Sequence, residues 1–195
     1  MACKRSYSMK IYTKSGDKGN TSIIGGERIK KSDARVCAYG SVDEVNSWVG
    51  KIISELDDKK FELLKKELVV LQILLFDIGT DLATPIGIKE MIVGKEEVTK
   101  IETLIDFYQA KVPVIEKFIL PGGHPVACDM QITRTVIRRA EREITRLIVS
   151  DEPINLHAYK IMNRLSDLFF VLARYVNHVY ATKEPFYERA GKVFH

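Results

Sequence analysis

The stretch KKFELLKKELVVLQILLFDIGTDL, residues 59–82, decides the fold. Within it Leu64, Leu68, Leu71, Leu75, Ile78 and Leu82 recur at alternating three- and four-residue steps. On a helix of 3.6 residues per turn these side chains share one stripe, which must be buried against a neighbour. Its richest apolar run, Leu68 to Ile78, is interrupted by Gln72 and Asp77. The segment is therefore a core helix of a bundle rather than a membrane span.

The same rhythm continues on both sides. Upstream, Val42, Val45, Val49 and Ile52 form a seam behind Ser32 or Asp33, either of which can cap a helix. Downstream a weaker helix runs from about Glu96 to Ala110, and Pro121-Gly122-Gly123 then breaks the chain. A long helix follows, with Met130, Thr133, Ile137, Ala140, Ile144 and Leu147 on one stripe. Asp151-Glu152-Pro153 reads as an acidic cap with proline in the first turn of a last helix, which buries Leu165, Leu168, Leu172, Tyr175 and Val179. Several apolar seams joined by short connections predict an all-α, antiparallel bundle. The first thirty residues are loop-like and rich in Gly, Ser, Thr and Lys, with Met9 to Thr13 and Thr21 to Ile24 as short extended pieces at most.

The chain has 195 residues, 46% hydrophobic and 29% charged, which suits one soluble globular domain. Its net charge of +4 favours an anionic ligand. A nucleic-acid reading is disfavoured, because Glu141 and Glu143 interrupt the positive face and no aromatic platform accompanies it. Cys3, Cys37 and Cys128 are odd in number and widely spaced, as free thiols in a reducing compartment would be. MACKRSYSMK, residues 1–10, has no apolar signal core, so a cytoplasmic protein is expected.

Two helices carry a second, polar stripe beside the apolar one. Arg134, Arg138 and Glu141 follow one position after core residues, and Asn163, Asp167, Phe170 and Arg174 flank the seam of the last helix. Each stripe is rotated about 100° from its seam, where packing can hold an arginine stem while the guanidinium faces a cleft. Its planar fork matches polyphosphate or carboxylate. Asp43 and Asn46 stand likewise beside the first seam, making Asp43 a candidate arginine partner. RRAER on its own would ordinarily form a solvated salt-bridge ladder; the aligned neighbours shift the balance.

The run TKSGDKGNTS at 13–22, followed by Gly25-Gly26, has the composition of a phosphate cradle, though it is no Walker A sequence. Neither a Glu-x-x-His pair nor HExxH occurs, so no protein-ligated catalytic metal is expected. His124, His157, His178 and His195 read as surface or capping groups, and Trp48 as a packing residue.

Taken together, KIYTKSGDKGNTSIIGGERIKKSD (10–33), YGSVDEVNSWVG (39–50), LLFDIGTDLATP (74–85), FILPGG (118–123), RTVIRRAERE (134–143) and NRLSDLFFVLARY (163–175) resemble the PduO-type ATP:cob(I)alamin adenosyltransferases, in the same order. The resemblance implies an antiparallel five-helix bundle with a four-helix-like core and an extended glycine-rich N-terminal loop. It implies one domain over 1–195: a flexible leader at 1–8, an ATP-binding loop at 9–31 and the bundle at 32–182. It further implies a homotrimer with active sites between subunits, ATP and cobalamin as substrates, and Mg²⁺ accompanying the triphosphate. A flavin-type reductase and an adenosylcobalamin-dependent enzyme are the implied partners. By similarity ATP would meet Thr13, Lys14, Ser15, Gly16, Thr21, Ser22 and Lys31. It would also meet Arg138, Arg139, Ala140, Glu141 and Arg142, and Asn163 from the last helix. Asp43 would pair with Arg134 across the subunit boundary, and Phe118 would crowd the lower face of the corrin. At Gln131 relatives often carry histidine. The alternative on residues alone is a non-catalytic helical protein that binds a nucleotide or another anion.

Overall fold

The computed structural model describes residues 11–188. Five helices carry the fold: α1 (Ala34–Glu55), α2 (Glu62–Leu82), α3 (Lys95–Gln109), α4 (Pro125–Val149) and α5 (Leu156–Val179). The N-terminal loop closes into a small antiparallel hairpin, β1 (Asn20–Ser22) with β2 (Arg28–Lys30), in which Thr21 faces Ile29. The chain is thus mostly α, as its periodicity predicts. Of the two extended pieces, Thr21 to Ile24 overlaps β1. Met9 to Thr13 is no strand where it is described, and Met9 and Lys10, the leader at 1–8 and His195 lie outside the described residues. No helix among the described residues is long and apolar enough to cross a membrane.

The predicted seams form the core. Val42, Val45, Val49 and Ile52 of α1 meet the six-residue stripe of α2 on one side and Met130, Ile137, Ala140 and Ile144 of α4 on the other. Polar bridges fix the directions. Lys51 binds Asp129 and Glu44 binds Arg139, so α1 and α4 run antiparallel. Lys65 Nζ donates to the Leu56 carbonyl, and Arg35 donates to the Leu82 carbonyl, so α1 and α2 are antiparallel as well. Asp33 caps α1 by accepting from the Arg35 amide at 2.9 Å.

α5 departs from expectation at both ends. It starts at Leu156, and its cap is Asn155, whose Oδ1 accepts from the His157 amide at 2.9 Å. Asp151 instead turns the chain with φ 58°, and Glu152 pairs with Arg35. Near its C-terminus Arg174, Val176 and Asn177 are buried while Tyr175 and Val179 are only half-buried. The cause is packing: α5 lies between α4 and α3 and also touches α2, so nearly its whole circumference is enclosed.

A buried knot closes the end where α2 finishes. The fully buried Asp81 carboxylate accepts from the amides of Ile92 and Val93 and from Asn155 Nδ2, at 2.8–3.1 Å. Asn155 Nδ2 also donates to the Val93 carbonyl at 2.7 Å. The hairpin is moored beside this knot, where the Ile24 amide donates to the Ala83 carbonyl at 3.2 Å and Ile23 is buried.

Candidate active site

Three groups of residues selected from the sequence sit in three places on the bundle. The first is the hairpin with its leading loop. Thr13 Oγ1 and Ser15 Oγ are 2.8 Å apart, and the Ser15 carbonyl accepts from Arg28 at 2.8 Å. Lys14 turns the loop with φ 59°, and Lys31 lies close over Gly16, where a Cβ would stand 3.0 Å from Lys31 Nζ and push that side chain aside. The Lys31 amide donates to the Gly19 carbonyl at 2.9 Å, which folds Lys31 back over the loop. Thr21 lies beside the Tyr39 hydroxyl, whose partial burial, with Asp33 nearby, holds that phenol above its ordinary pKa despite the Thr21 hydrogen bond. Thr13, Lys14, Ser15, Ser22 and Lys31 are exposed, so hydroxyls, amines and backbone face solvent together.

The second group is the arginine stripe of α4, which the structure divides. Arg134 and Glu141 lie on the α5 side: Asn163 Nδ2 of α5 donates to Glu141 Oε1 at 2.9 Å. Arg134 is half-buried, and burial first and the neighbouring Arg138 second pull its pKa below the usual guanidinium value. Two cations one helical turn apart with no carboxylate between them are an arrangement that an anion would relieve. Arg138 and Arg142 are exposed and make no ion pair within the described residues. Arg139 turns the other way, to α1, and is engaged by Glu44. Ala140 is fully buried on the core seam. Asp43 is exposed, and no hydrogen bond or ion pair within the described residues involves its carboxylate. Within one chain it does not meet Arg134.

Two further members of the polar stripes behave differently from each other. Arg174 is 5% exposed and holds Glu184 at 3.2 Å and the Pro113 carbonyl at 2.9 Å, so it is a structural tie and no free anion ligand. Asp167 and Phe170 border a cavity of ≈ 630 Å³ beneath the loop Val112–Ile115, and a second cavity of ≈ 520 Å³ adjoins that loop from the Phe186 side. A cleft of ≈ 430 Å³ between α2 and α3 contains none of the selected residues.

The third group is Phe118. The residue is 54% exposed, so it is not a core residue of the single chain. Its backbone is tightly held: the Tyr187 amide donates to the Phe118 carbonyl and the Leu120 amide to the Pro185 carbonyl, each at 2.8 Å, around an Ile119–Phe186 bridge. This segment precedes α4, whereas the hairpin is moored where α4 ends. α4 has 25 residues, so at 1.5 Å per residue the two groups are separated by about 37 Å along the bundle. Sequence reasoning missed the residues that hold the Phe118 segment, Asn177 and the strand-like 185–187, because their partners lie more than 50 residues away.

Among the described residues no group of three or more His, Cys, Asp or Glu side chains converges as a metal site. His124 caps α4 through Nδ1, as expected of a capping histidine, and Trp48 packs on the core half-buried.

Comparison with known proteins follows the same residues. The sequence pattern of the cobalamin adenosyltransferase family matches residues 11–176. A corrinoid adenosyltransferase of Bacillus subtilis is 45% identical over 187 residues, 95% of this chain and 96% of that protein. The human corrinoid adenosyltransferase MMAB is 36% identical over 91% of this chain and 73% of its own length. Among solved structures, a phenylalanine-to-histidine variant of the PduO-type ATP:corrinoid adenosyltransferase of Lactobacillus reuteri, complexed with cobalamin and ATP, superposes with TM-score 0.90. It is 44% identical and covers 95% of this chain and all of its own. An arginine-to-lysine variant of the same enzyme, complexed with ATP, gives TM-score 0.86 at 44% identity, over 91% of this chain and all of its own.

Proposed function

Because the chain belongs to the cobalamin adenosyltransferase family, we infer that it transfers the 5′-deoxyadenosyl group of ATP to the cobalt of cob(I)alamin, giving adenosylcobalamin and triphosphate. The carrying observation on the molecule is the stripe of Arg134 and Arg138, two guanidiniums one turn apart with no ion-paired carboxylate among the described residues. In-line attack of Co(I) on the ribose 5′ carbon needs no side-chain nucleophile or general base. It needs the two substrates aligned and the growing negative charge on the leaving triphosphate balanced. Arg138 serves the second need, and the hairpin loop with Thr13, Lys14, Ser15, Gly16, Thr21, Ser22 and Lys31 cradles the phosphates and sugar. Glu141 and Asn163, already bonded to each other, give a polar patch beside the arginines for the nucleoside. Mg²⁺ would ride on triphosphate oxygens, its usual partners in nucleotide sites.

The site is assembled between copies of the chain, in a homotrimer that acts as one domain per chain. The separation of the hairpin from Phe118 supports this reading, because one chain offers them at opposite ends. The hairpin and Asp43 of one copy face Arg134, Arg138 and Phe118 of its neighbour, with Asp43 meeting Arg134. There the exposed Phe118 ring displaces the lower ligand of cob(II)alamin and keeps water away, which eases reduction to Co(I) by a flavin-type reductase. Product then passes to an adenosylcobalamin-dependent enzyme, in the cytoplasm.

The test is direct. Purified protein mixed with ATP, Mg²⁺ and chemically reduced cobalamin yields a light-sensitive cobalt–carbon bond and free triphosphate. ATP binding without either product would leave a nucleotide-binding protein and overturn the reading.

A further inference from the structure

The Phe118 ring is largely exposed and has no aromatic partner within the described residues, so the hold on its backbone weighs heavily in its placement. That backbone is held along two edges. One is the extended segment 185–187, through the Ile119–Phe186 bridge described above. The other is Asn177, in the last turn of α5, 3% exposed. Its Oδ1 accepts from the His124 amide at 2.9 Å and its Nδ2 donates to the Gly122 carbonyl at 3.0 Å. Both hydrogen-bonding functions of the carboxamide are thus used, and they straddle the turn that joins Phe118 to α4.

The fit around the carboxamide is close. Gly123 has φ 115°, a conformation that favours glycine, and a Cβ there would come within 2.2 Å of Asn177 Oδ1. The chain approaches Asn177 through glycine because nothing larger leaves room for the amide. His124, next in line, caps α4 through Nδ1 and stacks on Tyr180 at 3.8 Å. One turn earlier on α5, Arg174 grips Glu184, just ahead of the 185–187 segment. The end of α5 therefore holds both edges of the segment.

We propose that Asn177 is a positioning residue for the reaction: its carboxamide sets the Pro121–His124 turn and thereby the placement of Phe118 against the corrin. It touches neither substrate and acts through the loop. This rests on the adenosyltransferase reading above, and the two can fail separately. Asn177→Asp keeps the size and the acceptor but loses the donor to Gly122; Asn177→Ala loses both. Each variant is assayed from cob(II)alamin with a weak reductant and from preformed cob(I)alamin. Turnover from cob(II)alamin falls at least about tenfold, Ala more than Asp, while cob(I)alamin turnover and the KM for ATP stay within about threefold. Equal losses in both assays, or none, would overturn the proposal. Hydrogen exchange on the same proteins supplies a readout that needs no activity: amides of residues 118–124 exchange faster in Asn177→Asp, while those of α1 and α2 do not. Unchanged exchange in 118–124 overturns the clamp even if the wild type proves inactive. Should Asn177→Ala fail to fold, Asn177→Asp alone decides.

Discussion

Arg134 donates its Nε to Gln131 Oε1 at 2.8 Å, one turn back on the same helix. That bond orients the guanidinium, and its two terminal nitrogens have no hydrogen bond or ion pair among the described residues. The bond also gives Gln131 a role inside the protein.

The free face of Arg134 is expected to find Asp43 of a neighbouring copy. Arg134→Ala and Asp43→Ala each strand a partly desolvated charge, at a cost of about 3 kcal/mol in cobalamin use. The double charge swap, Asp43→Arg with Arg134→Asp, recovers part of the loss. Adenosylcobalamin formation measures both effects, and light scattering reports the assembly. A fully active monomer would exclude the intersubunit site.

Arg138 and Arg139 are adjacent in sequence but stand about 100° apart around α4 and have different surroundings, and so should differ in consequence. Arg138→Ala lowers kcat/KM for ATP at least about a hundredfold, as removal of a group that balances transition-state charge does. Arg139→Ala loses an exposed bridge to Glu44, an interaction typically worth about 0–1 kcal/mol, and keeps activity within about tenfold. Equal, small effects for the two variants would count against the phosphate role of Arg138.

For Phe118 the exposure separates stability from function. Phe118→Ala should unfold in urea well short of the roughly 3–5 kcal/mol penalty of a buried phenylalanine. Its defect should instead appear in the electron paramagnetic resonance spectrum of bound cob(II)alamin, which retains its lower ligand. Identical spectra for wild type and variant would reassign the ring.

Asp81 is the reverse case. Asp81→Ala removes the acceptor for two backbone amides and for Asn155, a loss of about 3 kcal/mol or more because buried donors are left unpaired. The hairpin is moored two residues further on, so the KM for ATP should rise as well. Urea denaturation and ATP kinetics check the two effects independently.

Much of this fold is legible in the sequence because its seams are periodic. The stripes read for α1, α2 and α4 are the buried ones, and of the two candidate caps, Ser32 and Asp33, it is Asp33 that caps α1. The start of α5 misleads for a physical reason: Asp151-Glu152-Pro153 has the composition of a cap, but the cap that forms is Asn155, chosen by bonds to Asp81 and Val93, 74 and 62 residues away. Periodicity also fails where α5 is enclosed on nearly every side, as at Tyr175 and Val176. The candidate site divides along the same line. The polar stripe of α4 is visible as spacing, but spacing does not show that Glu44 draws Arg139 aside or that Glu184 occupies Arg174. Asn177 carries no local signal at all, since its meaning lies in Gly122 and His124.

The mooring of the hairpin at one end of the bundle and of Phe118 at the other has a genetic consequence. In the proposed ring of three chains, each copy lends one end to the neighbour on its left and the other to the neighbour on its right. Damaging alleles then sort into two complementation groups, one for the hairpin and one for Arg138 and Phe118. Where both kinds are co-expressed, the sound ends of two damaged chains meet at some seams and restore a whole site. A compound heterozygote would therefore retain activity that neither homozygote has.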